Sequence, residues 1–385
     1  MVARRRTYTR PPRRRRAFRV FVAVLIPVVV VAAGVAATLT FLRGFTPASA
    51  APYPAVTLSA TPAPTPSATP LTAAQQLLRT AADPRACAVS FAGDGIAEAP
   101  QLQTEGALYA HLPIPRRDGA VFAGWYATPS DAASYSVGAR INGADLVTCA
   151  DHETTVHAAW KSPDDVAAEN VGVPILMYHQ FTTKPEGESG WLKANYTYIG
   201  DFESHIHYLA ESGFYLPTWD ELSAFIDGAL YIPRLSAIVT DDDADSSWLE
   251  LAAPIVQNYR VPTTSFVITS ARTEPTPNMY VLQRSHTHDM HTAGENGQGR
   301  MVNWTVDQIA ADMETSAAIL GAKEVMAYPY GHYNDTAKEA LRRAGFEMAR
   351  TVEPGYVRAG TDKLALPTIR INYGMDLDDF RNLVG

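Results

Sequence analysis

At 385 residues, 46% hydrophobic and 19% charged, the chain is long enough for two or more domains and too apolar to be mainly disordered. Its formal net charge of -8 is unevenly placed: residues 1–43 hold ten arginines and no acidic side chain, leaving 22 basic against 40 acidic side chains beyond them. A body that acidic argues against nucleic acid as a partner.

Residues 1–19 carry the basic cluster "RRRTYTRPPRRRR" and read as a cytoplasmic tail. Residues 20–42 follow with no charge between Arg19 and Arg43. As a helix those 23 residues span about 35 Å against a hydrocarbon core of about 30 Å. The arginines on the N-terminal side predict a transmembrane signal-anchor that sends the rest of the chain outward, with the catalytic part extracellular. The alternative is a signal peptide cut near Ala50, after the small residues "ASA"; the apolar run is long for that. Residues 43–72, rich in Pro, Thr, Ser and Ala, predict an extended linker with polyproline character.

Residues 73–163 predict a small β-rich module, with the alternating stretches "CAVSF", "ALYAHL" and "TTVHAAW" as short strands. Both cysteines of the chain, Cys87 and Cys149, fall here, and an oxidising compartment permits a disulfide between them. The order "LPIPRRDGAVFAGWYATPS" then "TTVHAAW" resembles the internalin-type β-grasp repeat, with Gly124, Trp125, Tyr126 and Trp160 at the matching places. Trp125 and Tyr126 could stack on sugars, but a domain this small needs its aromatics for burial, so core packing is the expectation.

From residue 171 strands alternate with helices. "VPILMY" reads as a buried strand, and "DFESHIHYLAESG" places Phe202, Ile206, Leu209 and Ala210 on one helical face before Gly213. "WDELSAFIDG" is a second short helix, followed by strand "LSAIV", helix "SSWLELAAPIVQNY" and strands "TTSFVI" and "MYVLQRS". Helix "TVDQIAADMETSAAILG", strand "EVMAY", a helix from N-cap Asn334 to Gly345, and strands "EMARTV" and "LPTIRIN" complete the series. Such an α/β alternation predicts a parallel barrel or a doubly wound sheet over residues 171–385, with its chemistry at the carboxyl ends of the strands.

Three segments sit at such ends: "DDDAD" after Val239, "HTHDMH" after Ser285 and "PYGHYN" after Tyr328. Three consecutive aspartates repel one another unless something cationic is expected. Carboxylate plus imidazole suits zinc or a similar divalent ion, and one aspartate with two histidines leaves an open place for water. His286 and His291 would lie about 140° apart on a helix and could converge only on an irregular loop, whereas His286 and His288 could share a strand face. Geometry leaves that choice open.

Taken in order, "VPILMYHQF", "VTDDDADSSW", "SHTHDMH" and "AYPYGHYN" resemble the polysaccharide deacetylase family, carbohydrate esterase family 4, and within it the exported poly-N-acetylglucosamine deacetylases. The resemblance implies a distorted (β/α) barrel with a metal at its rim. It implies Asp241 as general base and Asp242 as metal ligand, Asp243 standing in the glycine's place; a register one residue on gives Asp242 and Asp243 instead. It further implies His286 and His291 as metal ligands, with Thr287 orienting their loop and His288 and Asp289 behind them. Pro329 and Tyr330 fall in the third motif, where the Tyr330 backbone N–H would face an oxyanion. The metal implied is zinc, or else cobalt or nickel.

The chain departs from the family's pattern in two places. There is no histidine after His332, where a late Leu-x-His motif would supply a general acid, and Met326 and Ala327 stand where an arginine commonly precedes the third motif. His332 could serve as the acid, although a surface role is the plainer reading. The function expected is N-deacetylation of amino sugars in a cell-surface polysaccharide. Its rivals are O-acetyl ester hydrolysis and glycan binding by a catalytically impaired barrel.

Overall fold

The computed structural model describes residues 70–271, 277–294 and 296–385. The expected tail, anchor and most of the linker lie outside the described residues, among which no helix is long and apolar enough to cross a membrane. Thr69–Gly385 form one compact unit.

The chain enters through the helix Ala73–Arg79, opened by a capping box in which Thr72 and Gln75 satisfy each other's backbone amides. Strands β1 (Ala86–Ala92), β2 (Gln101–Thr104), β3 (Val121–Tyr126) and β4 (Glu153–Lys161) then form one sheet in the order β2-β1-β4-β3. Its central pair β1/β4 is parallel and its outer pairs are antiparallel. Cys87 on β1 is disulfide-bonded to Cys149 just before β4, with Cα atoms 6.2 Å apart. Trp125 and Tyr126 are buried, and the Trp125 ring lies 4.8 Å from Phe91 and 5.1 Å from Phe122. These aromatics fill a core, as expected.

Beyond the linking helix Pro163–Glu169 comes β5 (Ile175–Tyr178), all of it buried. A short parallel ribbon, β6 (Gln180–Thr182) and β7 (Tyr196–Tyr198), precedes the helix Ile199–Glu211; it has no counterpart among the elements predicted from sequence. The remaining strands are β8 (Ile238–Asp243), β9 (Thr263–Val267), β10 (Val281–Ser285), β11 (Val325–Ala327), β12 (Met348–Pro354) and β13 (Leu366–Arg370). These six and β5, in the order β10-β11-β12-β13-β5-β8-β9, close into a barrel whose neighbouring strands are all parallel.

The helices Val306–Leu320 and Asp335–Ala344 begin at side-chain caps from Thr305 and Asn334 and stop at left-handed Gly321 and Gly345. The single helix expected over "SSWLELAAPIVQNY" opens instead as a π-helical turn, Trp248–Ala252, before α-helix Ala253–Tyr259. Pro254 at the join has no N–H to offer a regular ladder.

The module and the barrel were expected as separate domains, yet they share one hydrophobic cluster that runs from Val89, Phe122 and Trp125 to Ile175, Tyr215, Trp219 and Phe266. Backbone bonds join them: Phe122 N–H donates to Ala229 O at 3.1 Å and Tyr231 N–H to Phe122 O at 2.8 Å. Buried Arg140 reaches across, donating to Tyr231 O at 2.7 Å with its guanidinium 4.2 Å over the Tyr215 ring.

Candidate active site

Strand β8 delivers the three aspartates, and each one ends in different surroundings. Alternate side chains of a strand leave by opposite faces. Val239 lies in the layer under the outer helices, and Asp241, two residues on, follows it. Asp241 is fully buried; its Oδ2 accepts from Ser265 Oγ on β9 at 3.3 Å, and its Oδ1 has no hydrogen-bond partner among the described residues. Burial, with Asp242 and Asp243 close by, pushes its carboxyl far above the usual carboxylate range. A carboxyl buried away from the rim, with its acidity weakened by burial, does not stand where the general base expected at Asp241 would act.

Asp242 points the other way, into the barrel. Its Oδ1 receives the guanidinium of Arg350 from β12, and its Oδ2 lies 3.7 Å from Nε2 of His179 at the end of β5. Burial alone would raise this carboxyl, but Arg350, His179 and His286 outweigh it and hold it below its ordinary value. Arg350 is itself wholly buried, with Nη1 3.0 Å from Met177 Sδ and its guanidinium 5.2 Å from the centre of the Phe266 ring.

Asp243 ends the strand with φ +74°, and Ala244 follows at +51°. That left-handed turn lifts the Asp243 carboxylate onto the rim, where its Oδ1 lies 3.4 Å from His286 Nε2 and 3.2 Å from His291 Nε2. The metal ligand expected at Asp242 is therefore replaced, in position, by its neighbour. One ligand atom each from Asp243, His286 and His291 falls within 4.8 Å of the others.

The donor set fits a divalent cation on three counts. Asp243 Oδ1 is buried without a hydrogen-bond partner among the described residues, despite lying between the two rings. His286 Nδ1 is 2.9 Å from the Ala327 carbonyl, so Nδ1 carries the proton and the Nε2 lone pair faces the carboxylate. Burial pushes the Asp243 carboxyl up, but positive charge at His286 and His291 holds it well below the usual range, a charge that a cation between neutral rings would supply instead.

Residues 233–349 match the family described as "Polysaccharide deacetylase". The chain carries a polysaccharide deacetylase domain. It is 26% identical over 161 residues to the "Poly-beta-1,6-N-acetyl-D-glucosamine N-deacetylase" of Staphylococcus aureus (strain MRSA252), covering 36% of this chain and 56% of that protein. The protein of the same description from Staphylococcus epidermidis is 23% identical over 193 residues, 45% of this chain and 66% of the relative. The chain thus spans little more than half the length of the first of these relatives. Among solved structures it is similar to the "Streptococcus pyogenes deacetylase PplD in complex with acetate", at 21% identity and TM-score 0.48 over 56% of this chain and 99% of that one. It is similar also to "IcaB from Ammonifex degensii", at 21% identity and TM-score 0.45 over 56% and 96%.

In this deacetylase domain the histidine loop is held from behind. Thr287, a β-branched residue at φ +73°, turns the chain so that His286 and His291 converge; their rings are 4.9 Å apart. Its hydroxyl accepts from Met290 N–H at 3.2 Å. His288 turns away to Thr269 Oγ1 at 3.1 Å, which removes it from the ligand set that sequence geometry left open. The amides of His288 and Asp289 both donate to Asp312 of helix Val306–Leu320, at 2.7 and 2.8 Å.

Across the rim, Pro329 is buried and Tyr330 adopts φ +59°, with its ring 44% exposed and 4.4 Å from that of His291. His332 Nδ1 accepts from Gly299 N–H at 3.1 Å, a structural use.

Sequence reasoning missed His179 and Arg350. The sequence signal for His179 was present: it directly follows the strand "VPILMY", as the other rim segments follow theirs. Arg350 lies inside "EMARTV", where nothing but the burial of a charge in a strand marks it.

Proposed function

We propose that the protein is a metal-dependent hydrolase that removes N-acetyl groups from a cell-surface or extracellular polysaccharide, with β-1,6-linked N-acetylglucosamine as its unit. The observation that carries this reading is one Asp243 oxygen set 3.2 Å from His291 Nε2 and 3.4 Å from His286 Nε2, one residue from a carboxylate paired with Arg350 inside the barrel. Asp243, His286 and His291 would hold the ion, with zinc suited to two nitrogens and an oxygen. Bound there, it would supply Lewis acidity for the acetamide carbonyl and for water.

The chain's own residues supply the proton traffic. Asp242 takes a proton from the attacking water at Oδ2, since Oδ1 is committed to Arg350. His179, 3.7 Å from that oxygen, receives the proton from Asp242 and gives it to the nitrogen as the C–N bond breaks, so acetic acid and the free amine leave and ionise in solution. The Tyr330 backbone amide is assigned to the carbonyl oxygen as charge builds there. On this reading Arg350 would supply the guanidinium missing before the third motif, and His179 the missing late histidine.

The N-terminal segment is read as a membrane anchor with the barrel outside the cell, and residues 73–163 as a β-grasp-like module that spaces and braces it. Acetate release from N-acetylglucosamine oligomers, with zinc supplied, tests the reading. Asp242→Asn should abolish release; release at the wild-type rate would remove Asp242 as base, and a preference for O-acetylated sugars would replace the amide by an ester.

A further inference from the structure

Trp191 is 90% exposed, the most exposed large apolar side chain among the described residues. An exposed indole offers a large flat apolar face with a polar N–H at its edge. The loop that carries it is not loose. Glu188 accepts from Thr182 Oγ1 at 2.7 Å and from Lys184 Nζ at 2.7 Å. The Tyr373 hydroxyl donates to Pro185 O at 2.7 Å, the Lys193 ammonium sits 4.6 Å over the Tyr373 ring, and Asn195 accepts from Arg370. Gly187, at φ +80°, lies so close under the Tyr373 ring that an added Cβ would come within 2.6 Å of it.

These ties fix where the loop is. It joins β6, which begins one residue after His179, to β7 and is fastened to the segment that follows β13, so it stands on the rim that holds Asp242 and Asp243. On the same rim, beyond the aspartates, stands the half-exposed ring of Tyr330.

Resting on the N-deacetylase reading, we propose that Trp191 is a stacking platform for a sugar of the polysaccharide several units away from the one being deacetylated. The reacting sugar lies over Asp242 and His179, and the chain runs outward across the β5 edge of the rim to lay a ring face on the indole. The apolar face of a pyranose covers an aromatic ring while its hydroxyls keep their water, which suits a side chain set among polar neighbours. Glu186, Glu188, Lys184 and Lys193 lie within seven residues of Trp191 along the chain and carry both signs of charge. A membrane-inserting tryptophan would need apolar or uniformly basic company.

The test compares N-acetylated disaccharide and pentasaccharide as substrates of the full chain. Trp191→Ala should lower the kcat/KM ratio of pentasaccharide over disaccharide about tenfold, through KM. Trp191→Tyr should restore the ratio to within about threefold. Equal losses on both oligomers, which a structural defect would give, or an unaltered ratio would overturn the proposal. The second arm needs no turnover: pentasaccharide binding to Asp242→Asn by calorimetry, with and without Trp191→Ala. A weaker association on losing the indole supports the platform even if the bond hydrolysed is not the amide. Equal binding, together with Trp191-dependent sedimentation on anionic phospholipid vesicles, would assign the indole to a membrane and sink it.

Discussion

Three adjacent aspartates do three different things because a strand deals side chains to alternate faces and then ends. Asp241 is walled in beside Ser265, Asp242 is paired inside the barrel, and Asp243 is swung onto the rim by a left-handed turn. The Asp242–Arg350 pair is buried on both sides, and a buried carboxylate stripped of its cation is left uncompensated. Arg350→Met is therefore expected to destabilise the fold by about 3–5 kcal/mol in urea unfolding. It should also raise the Asp242 carboxyl, since the guanidinium is what lowers it most. The acid limb of kcat/KM should then move to higher pH, and an unmoved limb would separate Arg350 from the reaction. The sequence showed that this run of acids was chemical rather than ornamental. It could not show the register, because one residue of slip exchanges faces, and only the turn at Asp243 decides which carboxylate joins the histidines.

Elements matter here through what they hold still. Asp312, on the helix Val306–Leu320, accepts two amides from the histidine loop, so a helix in the outer layer sets the spacing of His286 and His291. Asp312→Ala leaves both amides without that acceptor, and metal affinity measured by competition with a chelator should fall on the order of 10–100-fold. The helices Ile199–Glu211 and Leu377–Val384 meet at His205, stacked on Phe380 with ring centres 4.2 Å apart. His205 Nε2 donates to Asp376 O at 3.2 Å, and Nδ1 accepts from the Tyr178 hydroxyl at 3.2 Å, an arrangement only the neutral ring can make. Burial lowers its pKa from 6.5 to about 4. The unfolded chain then binds a proton near 6.5 that the folded protein refuses until about pH 4. Stability should be full above about pH 6.5 and fall between there and about 4, by on the order of 3 kcal/mol. His205→Gln should flatten that part of the denaturation curve. The barrel's helices and strands were legible because their periodicity and caps agree with the fold; the β6/β7 ribbon was not, since three-residue strands carry no period.

At the scale of the whole molecule, composition marked a boundary between residues 163 and 171 that packing does not respect. The module's Phe122 hydrogen-bonds to the barrel segment through Ala229 and Tyr231, and Arg140 is buried between the two. Denaturation should accordingly give one transition, coincident by tryptophan fluorescence and by circular dichroism. A barrel begun at residue 171 should be insoluble or molten, because the cluster around Tyr215 and Trp219 would lose its cover. Two separated transitions would restore the picture of independent domains. The family resemblance, the barrel and the two histidines that converge on Asp243 could be read from four short motifs, whereas the meeting of Asp242 with His179 and Arg350 required knowing which strands face one another.

The central claim is a single ion held by Asp243, His286 and His291, with Asp242 left free for proton transfer. Zinc stoichiometry of the purified full chain, by mass spectrometry after exhaustive dialysis, tests it most directly. Wild type and Asp242→Asn should each retain about one equivalent and Asp243→Ala essentially none; retention by Asp243→Ala with loss from Asp242→Asn would contradict it.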